Sequence, residues 1–128
     1  MILLDTHVWV NYIGENLHRL SQPALKTIDE TNRFGISAIS CWEIALLVEK
    51  GKLKLGYKAR YWIKDALAHP KSVLFDLDVD LLITSTQLEN FHRDPADRII
   101  AATSYLNGIP LITKDKKIRN WGQIKTIW

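Results

Sequence analysis

Short apolar runs that stop abruptly at polar residues, each followed by a stretch long enough for a helix, constrain this chain more than any other feature. Ile2-Leu3-Leu4 breaks off at Asp5-Thr6 and reads as a buried strand with a polar carboxyl end. A helix from about Thr6 to Ile13 follows. Pro23, at a first-turn position, opens a second helix through about Thr31, and Arg33 to Ser37 supplies the next strand through Phe34 and Ile36. Ser40 is expected to start a third helix, whose Ile44, Leu47 and Val48 share one face and whose stop signal is Gly51. The pattern continues with a helix from about Ala59 to Ala68, a strand at Val73-Leu74-Phe75, a helix from about Val79 to Leu88 and a sixth from Asp94-Pro95 to Asn107-Gly108. Pro110 to Thr113 then makes a strand, and Lys125 to Ile127 a last edge strand. Strands separated by helices pair in parallel through right-handed crossovers. The expected class is α/β, a three-layer α/β/α sandwich around a parallel sheet of four to five strands.

Composition removes several alternatives. At 128 residues and 47% hydrophobic, the chain suits one domain over 1–128 whose core needs no cross-links. Cys41 is the single cysteine, which excludes disulfide frameworks and Cys/His zinc fingers and suits a reducing cytoplasm. The longest apolar run, Ile44 to Val48, falls far short of the ~20 residues of a membrane span. Asp5 interrupts the N-terminus before a signal-peptide core could form, so the expected location is cytoplasmic, with no membrane partner. Net charge is only +3, but cations gather in residues 49–64, from Lys50 to Lys64, and in the tail from Lys114 to Lys125.

In open parallel sheets, ligands bind where the carboxyl ends of the strands turn into helices. Acids occupy that edge: Asp5 after the first strand, Glu43 after the second, Asp115 after Pro110 to Thr113, and Asp97 in the first turn of the sixth helix, with Asp94 close by. Converging carboxylates repel and are tolerated when a cation neutralises them. Hard oxygen donors without histidine or thiolate point to Mg²⁺ or Mn²⁺. Each acid also has a local structural explanation. Ser40-Cys41-Trp42-Glu43 fits a capping box, Asp94-Pro95-Ala96-Asp97 fits an N-cap with an acid at N3, and Asp5 and Asp115 fit turns.

Four segments carry a resemblance. Ile2-Leu3-Leu4-Asp5-Thr6, Ser37-Ala38-Ile39-Ser40-Cys41-Trp42-Glu43-Ile44-Ala45, Asp94-Pro95-Ala96-Asp97-Arg98-Ile99-Ile100-Ala101-Ala102-Thr103 and Leu111-Ile112-Thr113-Lys114-Asp115 follow in the order found in PIN-domain nucleases, and the chain resembles the bacterial toxin type called VapC. The resemblance implies a sheet of order 3-2-1-4-5 and Mg²⁺- or Mn²⁺-dependent endoribonuclease activity. It also implies a cognate antitoxin protein that holds the enzyme off, and a homodimer. Asp5, Glu43, Asp97 and Asp115 are the catalytic, metal-holding acids it implies. Asp94 and Asp97 compete for the third place, and the Ile-Ile-Ala-Ala that follows favours Asp97.

Thr6 and Thr113 are candidates to orient carboxylates through their hydroxyls, with Asp94 supporting as a cap. RNA needs cations beside the acids. Setting the four acids aside leaves 17 cations against 10 acids, and Arg98, Lys114 and His92 lie nearest the acids in sequence, so they are the candidate phosphate contacts. Trp9 and Trp42 are assigned to packing against the sheet. Two other readings fit less well. Val73 to Asp80 looks like the strand and DxD of a haloacid-dehalogenase phosphatase, but too little chain follows, and the same stretch lacks the glycine and glutamate of a calcium loop. Asp78 or Asp80 is instead a helix cap. A housekeeping RNA-processing nuclease, or a binding module without catalysis, could share the scaffold, though a surface made only to bind RNA has no reason to cluster carboxylates.

Overall fold

The computed structural model describes residues 1–128. In chain order they form β1 (Ile2–Leu4), α1 (Thr6–Ile13), a 3₁₀ turn at Leu17–Arg19, α2 (Gln22–Glu30), β2 (Phe34–Ser37), α3 (Ala38–Glu49), α4 (Ala59–Leu67) and β3 (Ser72–Phe75). After these come α5 (Val79–Thr86), α6 (Pro95–Asn107), β4 (Leu111–Ile112), α7 (Lys116–Trp121) and β5 (Thr126–Ile127). All strand pairs are parallel, and the sheet order is β3-β2-β1-β4-β5. β1 takes the centre because Ile2, Leu3 and Leu4 are all buried, as a strand covered on both faces requires.

The pleat sorts these residues into two cores. Ile2, Leu4, Phe34, Ile36 and Ile112 point to one side, where Val8 and Trp9 of α1, Ile28 of α2, Ile44 of α3 and Trp62 of α4 close over them. Leu3 and Leu111 point to the other, against Leu81 of α5, Ile100 of α6 and Ile118 of α7. Helices on both faces make the three-layer sandwich read from the strand and helix rhythm.

Gly35 faces Leu3 across the β1–β2 register. A Cβ there would lie 2.9 Å from Phe75 Cε2 and 3.2 Å from Leu3 Cδ1. Gly35→Ala is expected to lower Tm by about 5 °C, because overpacking a filled core costs upward of about 1 kcal/mol. An unchanged thermal melt would mean that the Phe75 ring yields freely.

Several details differ from the sequence reading. α3 starts earlier than Ser40: Ser37 is its cap, with Oγ accepting from Ile39 N at 3.3 Å. Glu43 therefore lies in the second turn and the capping box does not form. α7 was unread, being six residues long with only Ile118 buried. Trp9 is fully buried as expected, whereas Trp42 is 53% exposed and does not pack on the sheet. Asp78 does cap α5, accepting from Leu81 N at 2.9 Å. No helix is long and apolar enough to cross a membrane.

Candidate active site at the carboxyl edge of the sheet

Because the strands run in parallel, the carboxyl ends of β1, β2 and β4 open on one rim, and each delivers an acid there. Asp5 caps α1, its Oδ1 accepting from Thr6 N at 2.8 Å, while Oδ2 accepts the Thr113 hydroxyl at 2.6 Å. The same Thr113 oxygen accepts from Asp115 N at 3.0 Å, so one side chain ties the end of β1 to the start of α7. Asp115 in turn caps α7, with Oδ1 accepting from Lys117 N at 2.8 Å and Ile118 N at 3.2 Å.

Glu43 comes from α3 and meets Thr6, whose hydroxyl donates to Oε1 at 2.5 Å. Ser40 Oγ stands 2.8 Å from Thr6 Oγ1. A hydroxyl has one proton, so with Thr6 donating to Glu43, Ser40 donates to Thr6. From the opposite core layer, Asp94 caps α6 and accepts from Asp97 N at 2.9 Å, which sets Asp97 in the first turn facing the others.

The acids act on one another through their charges. Asp97 is pushed up to about 8, first by burial and then by the charges of Asp5, Asp94, Asp115 and Glu43. Burial also raises Glu43, with Asp5 and Asp94 adding to it and the Thr6 hydrogen bond opposing. A cavity of about 680 Å³ lined by no hydrophobic residue opens over this rim. Its walls are His7, His92, Asp94, Asp97 and Asp115 together with Lys114, Lys116 and Lys117. Asp5 is nearly sealed from solvent and Glu43 is half-buried.

As the side chains stand, no three Asp, Glu, His or Cys groups form a ready-made metal cage. The donor chemistry nonetheless fits a hard divalent cation. Both oxygens of Asp5 keep a free lone pair beyond their single hydrogen bonds, and the mutual repulsion on Asp97 is what a cation relieves.

Two features correct the sequence reading. Arg98 does not face the cavity: its Nε donates to His92 O at 2.8 Å, Nη1 to Ser85 O at 3.0 Å and Nη2 to Phe91 O at 2.7 Å, with the guanidinium 5.8 Å from the Phe91 ring centre. Three of its five N–H groups are thus taken by backbone carbonyls of α5 and of the loop that follows it. Histidine is also present beside the acids. His7, which the sequence reading missed, accepts from Lys114 N at Nε2 (3.3 Å), leaving its proton on Nδ1, 3.5 Å from Asp5 Oδ2. Burial pushes His7 below its ordinary value, and Lys114 pushes the same way, against Asp5 and Asp115. Its only sequence signal was a place two residues after Asp5. Lys114 and His92 do line the cavity, and Lys116 and Lys117 join them.

Comparison with known proteins places the chain in a family and a fold. The family model described as PIN domain matches residues 2–123. The chain is 32% identical over 130 residues to Ribonuclease VapC22 from Mycobacterium tuberculosis, covering 99% of this chain and 98% of that protein. Among solved structures, DNA-bound VapBC from Salmonella typhimurium superposes with a TM-score of 0.70 at 18% identity, covering 98% of this chain and 97% of that one. FitAcB from Neisseria gonorrhoeae superposes with a TM-score of 0.63 at 21% identity, covering 98% and 96%. At these identities the two structures speak for the fold.

Proposed function

The chain belongs to the PIN-domain family, and from that membership we propose that it is a divalent-metal-dependent endoribonuclease, the toxin of a VapBC-type toxin–antitoxin pair. The observation that carries the reading is the convergence of Asp5, Glu43, Asp97 and Asp115 from four elements on one rim, felt most strongly at Asp97. Those four acids would hold Mg²⁺ or Mn²⁺. Such an ion supplies activation of water at neutral pH and screening of the charge that builds on the phosphoryl group.

The chain's own residues do the rest. Thr113 and Thr6 fix the orientation of the Asp5 and Glu43 carboxylates, and Asp94 sets the first turn that presents Asp97. Lys114, Lys116 and Lys117, on the cavity wall, offset the acids for an approaching RNA backbone. Asp97 holds a proton near neutral pH until a cation takes its place.

On this reading the chain acts as one domain in the cytoplasm and is held off by a cognate antitoxin. It pairs as a homodimer, for which Val79, Leu82 and Ile83 offer an exposed apolar face on α5.

Purified protein incubated with total RNA should cut it in Mg²⁺ or Mn²⁺ and leave it intact in EDTA, and Glu43→Gln should be inactive in either metal. Cleavage that persists in EDTA, or at full rate in Glu43→Gln, would rule the mechanism out.

A further inference from the structure

Between α5 and α6 the chain makes a loop whose backbone is held by side chains rather than by sheet or helix. With its three donor nitrogens Arg98 takes the Phe91 and His92 carbonyls of this loop and the Ser85 carbonyl in the last turn of α5, tying the two together. Trp121 Nε1 takes that of Glu89 at 2.7 Å. His92, at the end of this loop, stacks on Phe91 with ring centres 4.7 Å apart and planes 21° apart, and Phe91 is braced edge-on by Trp121 at 5.1 Å.

The ring's orientation is fixed as well as its place. Nδ1 accepts from Asp94 N at 3.4 Å, so in the neutral ring the proton is on Nε2. Nε2 is buried, makes no aligned hydrogen bond, and stands 3.1 Å from Asp97 Oδ2. A buried donor without an aligned acceptor is costly, and the cost is relieved when the neighbouring carboxylate turns an oxygen toward it.

Resting on the nuclease reading above, we propose that His92 is a positioning residue for Asp97, locked in place by Arg98, and that the pair sets how tightly the cavity holds its divalent cation. Sequence position alone makes both residues candidates for substrate phosphate. The structure directs Arg98 into backbone carbonyls and His92 toward a carboxylate, which no phosphate contact requires. Groups that orient a metal-holding carboxylate are worth about 10–100-fold in metal affinity.

The test is Mn²⁺ affinity by calorimetry on the full chain, with folding checked by circular dichroism in EDTA. His92→Phe keeps the stack on Phe91 and loses both nitrogens. It should weaken Mn²⁺ by about 10–100-fold, and His92→Gln, which restores an N–H donor, should recover most of that loss. Arg98→Lys retains the charge but not three bonds, and should weaken Mn²⁺ as His92→Phe does. Wild-type affinity in His92→Phe, with loss confined to KM for RNA, would overturn the proposal and return His92 to substrate binding. A wild type that binds no Mn²⁺ would instead remove the metal-nuclease reading itself. Should Arg98→Lys fail to fold, the two His92 variants decide the matter alone.

Discussion

Asp97→Asn is expected to abolish RNA cleavage and, in protein freed of metal, to raise the melting temperature. The two effects have one cause. Asp97 is pushed up to about 8 because burial and four neighbouring acids oppose its charge. An unfolded chain would ionise it near 3.9, so the folded state binds this proton more tightly. The linkage sign follows: below about pH 4 the side chain is neutral in both states and costs nothing, and stability is then lost as pH rises toward about 8. Asparagine removes that loss. The gain of the variant over wild type in EDTA should be near zero at acidic pH and grow to a plateau above about pH 8. Discounted for solvent screening of a partly exposed group, it is on the order of 1 kcal/mol, or about 3–6 °C. The same neutral side chain contributes one less charge to a cation, and a loss of at least about 100-fold in kcat/KM corresponds to only about 2.7 kcal/mol of transition-state stabilisation. Melts of both proteins from pH 4 to 9 in EDTA, with cleavage assays in Mn²⁺, check both halves. A variant less stable than wild type at pH 8 would show that Asp97 is structural.

How far the site could be read from the chain depended on how local each residue's role is. Asp5 and Asp115 were legible because each ends an apolar run that becomes a strand and then caps the next helix, so pattern alone put them on the rim. Glu43 was ambiguous: S-x-x-E is the same text whether the serine caps a helix or not. The one fact that separates the readings, that Ser37 caps α3 instead, depends on where β2 ends. Arg98 was misjudged for a different reason. Next to Asp97 in sequence it looks free to meet substrate, yet its long side chain reaches back to the Ser85 carbonyl in the last turn of α5 and to the Phe91 and His92 carbonyls in the loop after it. Nothing periodic announces such a contact. Neither does any pattern announce His7, a lone histidine that matters only because the turn after β4 brings the Lys114 backbone to it. The sheet order needed more than periodicity, since parallel pairing limits the topologies without ordering the strands, and the family resemblance supplied that order.

Divalent metal is expected to stabilise the folded chain strongly, and with a pH dependence that reports Asp97. A ligand that binds only the folded state adds about 2.7 kcal/mol at 100 times its Kd, which for a chain of this length is about 10 °C in Tm. Cation and proton compete for the same carboxylate, so each ion that binds below about pH 8 displaces a proton from Asp97. The apparent affinity should therefore climb about tenfold per pH unit between roughly pH 6 and 8, then level off. Glu43, raised in the same direction, adds to the slope on the acid side. Asp5→Asn should remove most of the thermal shift at every pH, because its carboxylate has both oxygens placed by Thr6 and Thr113 before any cation arrives. Thermal melts over a Mn²⁺ titration at several pH values measure all of this. A thermal shift as large at pH 6 as at pH 8 would place the cation away from Asp97, and no shift at millimolar Mn²⁺ would remove it from the rim altogether. A shift that follows pH in wild type, but not in Asp97→Asn, ties the ion to the carboxylate that the other acids press upon.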